Sequence, residues 1–188
     1  MCAGDGDAFR VVYRAVQAPL LRYLEILVGP DEAEDVASET WGQACRDLDR
    51  FHGGADGFRG WVTTIGRHRA LDLLRRRSRR IRIDRDLADV DLPDGADVEA
   101  RAMESFTTEA ALAMIRSLPR DQAEAVMLRV VMGLDARSAG AVLGKRPGAI
   151  RSAAQRGLKT LARRLDTRLD SLTDVRDTFA PRGAEGVR

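Results

Sequence analysis

Residues 58–80 read FRGWVTTIGRHRALDLLRRRSRR, and the fold turns on how this stretch is taken. Strand signals are nearly absent, and the stretch predicts a helix from about Phe58 to Ile81. Its apolar residues (Trp61, Val62, Ile65, Leu71, Leu73 and Leu74) do not fall on one face, which predicts a helix contacted from more than one side. Phe58, Trp61 and His68 are flat side chains on which an unstacked base can lie, at about 1–3 kcal/mol per base. Arg67, Arg69, Arg75, Arg76, Arg77, Arg79 and Arg80 supply charge for a phosphate backbone, opposed in this span only by Asp72. Aromatics followed by arginines suit a melted strand better than an intact duplex. The blander reading is a core Trp anchor with a solvated basic tail.

Upstream, AEDVASETWGQACRDLDRF (33–51) sets Ala37, Trp41, Ala44, Leu48 and Phe51 at alternating spacings of four and three, an amphipathic helical seam over about Glu32 to Asp49. Asp31, Glu32, Glu34, Asp35 and Glu39 crowd its first turns and complement the helix dipole. Asp31 is positioned to cap it. Helix-end stabilisation does not explain why an acidic helix is joined to a basic, aromatic one by the Gly-rich loop 52–57. One half suits a basic protein surface and the other nucleic acid. Ahead of both, Ala8 to Leu27 reads as one broken helix or two, because Pro19 lies inside it.

The 188 residues carry 32% charged and 5% aromatic side chains, with a formal net charge of +2. That balance hides segregation, since Asp84 to Glu104 holds eight acids against Arg85 and Arg101, with basic blocks on both sides. This span, with Pro93 and Gly95, reads as a solvated, flexible tether. Nothing resembles a signal peptide, and no apolar run approaches the ~20 residues that cross a bilayer. Cys2 and Cys45 form no CxxC pair. Cys45 adjoins the seam and reads as a small buried hydrophobe in a reducing, cytoplasmic setting.

Beyond the tether, Leu118-Pro119 separates a short helix from Asp121 to Met132, where Ala123, Val126, Met127, Val130 and Val131 form a stripe. Gly133 ends that helix as a C-cap. Asp135 caps Ala136 to Leu143, Gly144-Lys145-Arg146 turns, and Pro147 opens a helix with Ile150, Ala154, Leu158, Leu161 and Leu165 as its buried seam. Arg151, Ser152, Gln155, Arg156 and Lys159 lie elsewhere on that cylinder. This is a helix-turn-helix, whose second helix enters a major groove.

Several of these motifs in order resemble the extracytoplasmic-function (ECF) sigma factors, the small promoter-specificity subunits of bacterial RNA polymerase. Ala33-Glu34-Asp35, Glu39-Thr40-Trp41, Phe58-Arg59-Gly60-Trp61, Ile65, Arg67, Asp72 and the arginines from Arg75 are similar to the family's region two. LPRDQAEAVMLRVVMGLDARSAGAVLGKRPGAIRSAAQRGLKTL (118–161) resembles its region four. The resemblance implies an all-α fold of two small helical domains: region two over 1–82, a linker over 83–106, region four over 107–168 and a tail over 169–188. It implies core polymerase as partner, through the β′ clamp helices and the β flap, with Asp31, Glu34, Asp35, Glu39 and Trp41 at or beside the docking surface. Promoter DNA is implied as single strand at −10, held by Phe51, His52, Phe58, Arg59, Trp61, Arg67, His68, Arg75, Arg76 and Arg77. It is implied as duplex at −35, held by Arg146, Gly148, Ala149, Arg151, Ser152, Gln155, Arg156 and Lys159. An anti-sigma factor is a further partner that many relatives have, and the linker of relatives threads the RNA-exit path. The chain departs from the family where Glu-Ile-Ala is common and Ser138-Ala139-Gly140 stands, which predicts weaker packing. Arg146 replaces a capping Ser, Ala153 replaces an Arg, and His68 stands where relatives often carry Asn.

Two other classes are testable on the sequence. A dimeric repressor or activator explains the helix-turn-helix but leaves 32–80 without a purpose. An enzyme finds no support: there is no nucleophile motif, no phosphate-cradling Gly loop, and His52 and His68 stand sixteen positions apart with no metal-ligand spacing. No cofactor or metal is called for.

Overall fold

The computed structural model describes residues 5–85 and 103–178; residues 86–102, most of the expected tether, lie outside the described residues, as do Cys2 and 179–188. Among the described residues every regular element is helical. Three long helices make the first unit: α1 (Asp5–Val28), α2 (Pro30–Arg46) and α3 (Ala55–Arg85). A single 3-10 turn (Leu48–Arg50) follows α2.

Helix α1 runs unbroken through Pro19. The ring removes one backbone hydrogen bond, and burial of Val16, Leu20, Tyr23 and Leu24 holds the helix together across the gap. Helix α2 begins two residues earlier than the capping argument for Asp31 requires. Gly29, at φ 94°, is its N-cap and Pro30 its first residue, with no side-chain cap. Asp31 therefore sits inside the first turn, where its charge faces the positive dipole end instead. Ala37, Trp41 and Ala44 are buried as the seam demands. Leu48 is exposed, because α2 stops at Arg46 and the 3-10 turn rotates it away. Cys45, one position past Ala44, is likewise exposed rather than buried.

Helix α3 crosses the other two at Gly66, where an added Cβ would stand 3.3 Å from Leu20 Cδ1 and 3.4 Å from Thr40 Oγ1. It packs on α1 and α2 on one side and on the second unit on the other. That is why its apolar residues follow no single stripe.

The second unit comprises α4 (Met103–Arg116), α5 (Arg120–Val126) running into a π turn (Met127–Val131), α6 (Ala136–Leu143) and α7 (Pro147–Thr178). The π turn adds a residue to the helical repeat, so the expected stripe fails at its end: Met127, Leu128 and Met132 are buried while Val130 is 58% exposed. Gly133, at φ 64°, closes the helix in the left-handed region that glycine favours, and Leu134 N donates to Leu128 O at 2.9 Å. Asp135 Oδ1 accepts from Ser138 N at 2.6 Å and caps α6. Gly144 ends α6 in the left-handed region, and Pro147 opens α7.

The α7 seam is rotated from its expected face. Ile150, Ala153 and Ala154 are buried, and Gly157 lies where a Cβ would meet Val126 Cγ2 at 2.7 Å. Leu158 and Leu165 are exposed. Among the small residues 138–140, Ala139 is fully buried, and Gly140 lets the following turn come close: a Cβ there would fall 2.6 Å from Lys145 O.

The two units share one core. A continuous apolar cluster runs from Leu20, Tyr23 and Val62 to Met127, Leu128 and Leu134. Helix α3 lies directly against α6, and α1 against α4, α5 and the π turn.

Candidate nucleic-acid and polymerase interfaces

The C-terminal surface is the simpler. Burial of Ile150, Ala153 and Ala154 against α5 fixes the rotation of α7, and the opposite side carries its polar residues. Arg146, Gly148, Ala149, Arg151, Ser152, Gln155, Arg156 and Lys159 are all exposed. The first turns of α7 thus present a mixed hydrogen-bonding and cationic face, the composition that reads base edges and grips phosphates. Ala153 is only 6% exposed and packs with Ala125 and Ala154. It is a packing position here, so the Arg expected there in relatives has no route to DNA from this backbone.

The N-terminal surface is built on an aromatic cluster at the junction of α1, α2 and α3. Phe51 stacks on Trp61 with ring centres 5.1 Å apart and meets Phe58 edge-on at 5.4 Å. Trp41 lies 6.4 Å from Phe58 and 4.7 Å from Tyr13, and its indole N–H donates to Gln17 Oε1. Phe58 and Trp41 are therefore core residues, at 7% and 6% exposure. Phe58 presents little of its ring to solvent, and Trp41 lies beneath the α2 surface, beside the acids rather than among them. Phe51 and Trp61 are half-buried, and His52 and His68 are exposed. Seven residues separate His68 from Trp61, two turns along one side of α3. Beside the loop, Phe9, Val12, Leu48, Phe51, Gly53, Gly54, Ala55 and Phe58 line an apolar hollow of about 280 Å³.

The arginines of α3 divide by partner. Arg75 pairs with Asp72 at 2.8 Å, Arg77 with Glu32 at 2.8 Å, and Arg76 is exposed. Arg59 donates to the Met132 carbonyl at 3.4 Å and lies 3.9 Å from Asp56. Arg67 Nε donates to Glu124 Oε2 at 2.9 Å. Burial alone would lower the Arg67 pKa, but the Glu124 hydrogen bond and charge outweigh it and raise it, so the guanidinium stays charged.

On α2 the acids Asp31, Glu34, Asp35 and Glu39 are exposed. Glu39 meets Arg69 at 3.5 Å, and Arg69 also donates twice to Gln43 Oε1. Glu32, Asp35 and Glu39 line a groove of about 160 Å³ between α2 and α3, shared with Arg69 and Arg76. The face remains acidic at its rim, a surface suited to a basic helix pair.

Sequence reasoning missed Tyr23 and Glu124. Glu124 is 3% exposed, accepts from Arg67, from Arg120 Nε at 3.0 Å and from the Tyr23 hydroxyl at 3.4 Å. Burial first, and then the Glu124 charge, push the Tyr23 phenol far above its ordinary value, so it remains a donor. The signal was a lone Glu inside the apolar run of α5 with an Arg four residues before it.

The family model for Sigma-70 region 2 matches residues 10–80, and that for Sigma-70, region 4, matches 108–161. The chain is 33% identical over 168 residues to the ECF RNA polymerase sigma factor BldN of Streptomyces coelicolor, covering 87% of this chain and 62% of that protein. It is 32% identical over 170 residues to the ECF RNA polymerase sigma factor SigC of Mycobacterium tuberculosis, covering 90% of this chain and 89% of that one. In fold it is similar to the sigma factor RpoE of Bartonella quintana, solved in complex with the anti-sigma factor NepR. That match has a TM-score of 0.64 and 23% identity over 85% of this chain and 97% of the other.

Proposed function

The chain belongs to the ECF RNA polymerase sigma factors, and we propose that it works as a promoter-specificity subunit in which the two regions divide the labour. Region 2 docks on the β′ clamp helices of core polymerase through the acidic rim of α2, with Asp35 and Glu39 at its centre. It then holds the opened −10 strand along Trp61, His68 and the α3 arginines, with the apolar hollow beside the 51–54 loop receiving an unstacked base. Region 4 reads the −35 duplex through Gly148 to Ser152, with Arg146, Arg156 and Lys159 nearer phosphates, and contacts the β flap. Domain limits of 1–82, 83–106, 107–168 and 169–188 go with this division, although α3 continues to Arg85 and α7 to Thr178.

On this reading the protein is a binding subunit, not an enzyme, and it acts in the cytoplasm with an anti-sigma factor as a further partner. Opening is driven by binding: unstacking costs a few kcal/mol per base, offset by stacking at about 1–3 kcal/mol per base. The observation that carries the proposal is the order of matches, region 2 before region 4, on a chain whose α2 rim is acidic and whose α7 face is cationic. The test is co-purification with core polymerase. Asp35→Arg with Glu39→Arg should abolish it while helicity by circular dichroism is unchanged; retained binding would refute the docking surface.

A further inference from the structure

The basic run near the end of α3 is interrupted once. Residues 75–80 read RRRSRR, with Ser78 between Arg75, Arg76 and Arg77 on one side and Arg79 and Arg80 on the other. All six side chains are exposed. The other two hydroxyls of α3 are committed to the helix itself: Thr63 Oγ1 donates to Arg59 O at 2.6 Å, and Thr64 Oγ1 to Gly60 O at 2.8 Å. Ser78 stands in solvent about four turns further along. Neither burial nor propensity accounts for it, since it packs into no core and serine forms helix less well than arginine.

An exposed serine with arginines on its N-terminal side matches the charge pattern by which an acidic kinase groove selects its substrates. Such a groove takes its substrate as an extended segment, and this part of α3 can supply one. No apolar side chain lies between Arg75 and Arg80, so opening these turns breaks no core contact there, and weakly packed segments open locally at little cost. Ser152 on α7 is also exposed but differs on both counts. It has one arginine in the three positions before it, and its neighbours Ile150, Ala153 and Ala154 are buried. Unwinding there would pull on the core.

We propose that Ser78 is a phosphorylation site for an arginine-directed serine kinase, and that phosphate there weakens the grip of α3 on the opened strand. In this step Ser78 Oγ attacks the γ-phosphorus of ATP, the bond to the ADP oxygen breaks, and the hydroxyl proton passes to the kinase's catalytic aspartate. The product carries about −1.5 to −2 charges at neutral pH. Arg75 lies three residues earlier, on the same side of the helix, and is held only through a surface pair with Asp72 at 2.8 Å. The phosphate competes for Arg75 and Arg79 as a DNA phosphate would. The effect on strand binding rests on the sigma-factor reading, whereas the modification itself does not.

The test begins with the full chain, Mg-ATP and an arginine-directed probe kinase, the catalytic domain of protein kinase C. The intact mass should gain one phosphate, mapped to Ser78 by peptide fragmentation and lost in Ser78→Ala. A chain that takes no phosphate, or takes as much with Ser78→Ala, overturns the site. The phosphorylated and unphosphorylated chains are then assembled with core polymerase, and binding of a fluorescein-labelled single-stranded DNA is followed over a salt series. Each phosphate contact on a single strand contributes about 0.7 to the salt slope. The phosphorylated form should therefore bind about tenfold more weakly, with a slope shallower by about one. Ser78→Glu, carrying one charge, should lose about threefold, while Ser78→Gln binds as the native chain does. Equal strand binding by the phosphorylated and unphosphorylated forms, or the same loss in Ser78→Gln as in Ser78→Glu, overturns the regulatory role. Failure of the unphosphorylated chain to assemble with core polymerase would count against the sigma reading and leave the mapping of phosphate to Ser78 standing.

Discussion

On α7 the side chains assigned to duplex DNA stand in solvent, with Arg151, Gln155 and Arg156 all exposed, whereas on α3 Arg59 and Arg67 are engaged by the other half of the protein. One face stands open to solvent, and part of the other is covered. The difference follows from what each helix must bury. Helix α7 sheds its apolar load onto α5 through small residues, Ala153, Ala154 and Gly157, which leaves its polar side open. Helix α3 is flanked on both sides, and its second neighbour supplies a carboxylate to one of its cations.

The sharpest way to break the comparison is at Glu124. Glu124→Ala leaves Arg67 and Tyr23 without their shared acceptor, and removing one partner of a buried ion pair costs about 3–5 kcal/mol. Urea denaturation should show that loss. Glu39→Ala, which breaks the exposed Glu39–Arg69 pair, should cost below about 1 kcal/mol. If both substitutions cost the same, Glu124 is not the covered site that its burial implies.

The open face gives the next largest effect. Arg151→Ala should weaken binding to a −35 duplex by about 1–3 kcal/mol and relax preference at one base pair if the contact is bidentate. Arg76→Ala, on the basic helix, should weaken binding about uniformly across sequences and reduce the salt slope by roughly one. Anisotropy titrations over a salt series, on duplexes differing at single −35 positions, separate the two. An Arg151→Ala protein with unchanged base preference moves the contact to Arg156 or Lys159.

Local chemistry made much of this legible in the sequence. Asp135, Gly144 and Pro147 act on their own neighbours within one turn, so the helix-turn-helix could be read residue by residue. The acidic α2 and basic α3 were equally plain, because charge runs need no tertiary information. What could not be read depended on rotation about a helix axis. The π turn at Met127–Val131 shifted Val130 outward, and Gly157 let α7 roll so that Ala153, not Leu158, faced inward. The aromatic residues depend on tertiary packing in the same way: Phe58 and Trp41 are buried because a cluster of six rings needs some of them as its floor. Glu124 was hidden because its partners lie 57 and 101 residues away.

The smallest expected effect tests whether α6, the helix on which Gly60 rests, is held by its cap. The Asp135 carboxyl accepts the Ser138 backbone N–H, and that hydrogen bond holds its pKa below the ordinary 3.8. A lowered folded value means that the unfolded chain takes up the proton first as pH falls. The cap's contribution is therefore complete well above pH 3.8 and is lost as pH falls from there through the lowered folded value. Asp135→Asn keeps a side-chain acceptor for the cap and removes the titration. Thermal midpoints between neutral and acid pH should fall more steeply for the native chain than for Asp135→Asn, by a small margin. Parallel curves would place the acid sensitivity elsewhere. Were the margin to appear together with faster hydrogen exchange on α3 near Gly60, loosening α6 would also be loosening its packing on α3, and the cap would support the same interface as Glu124.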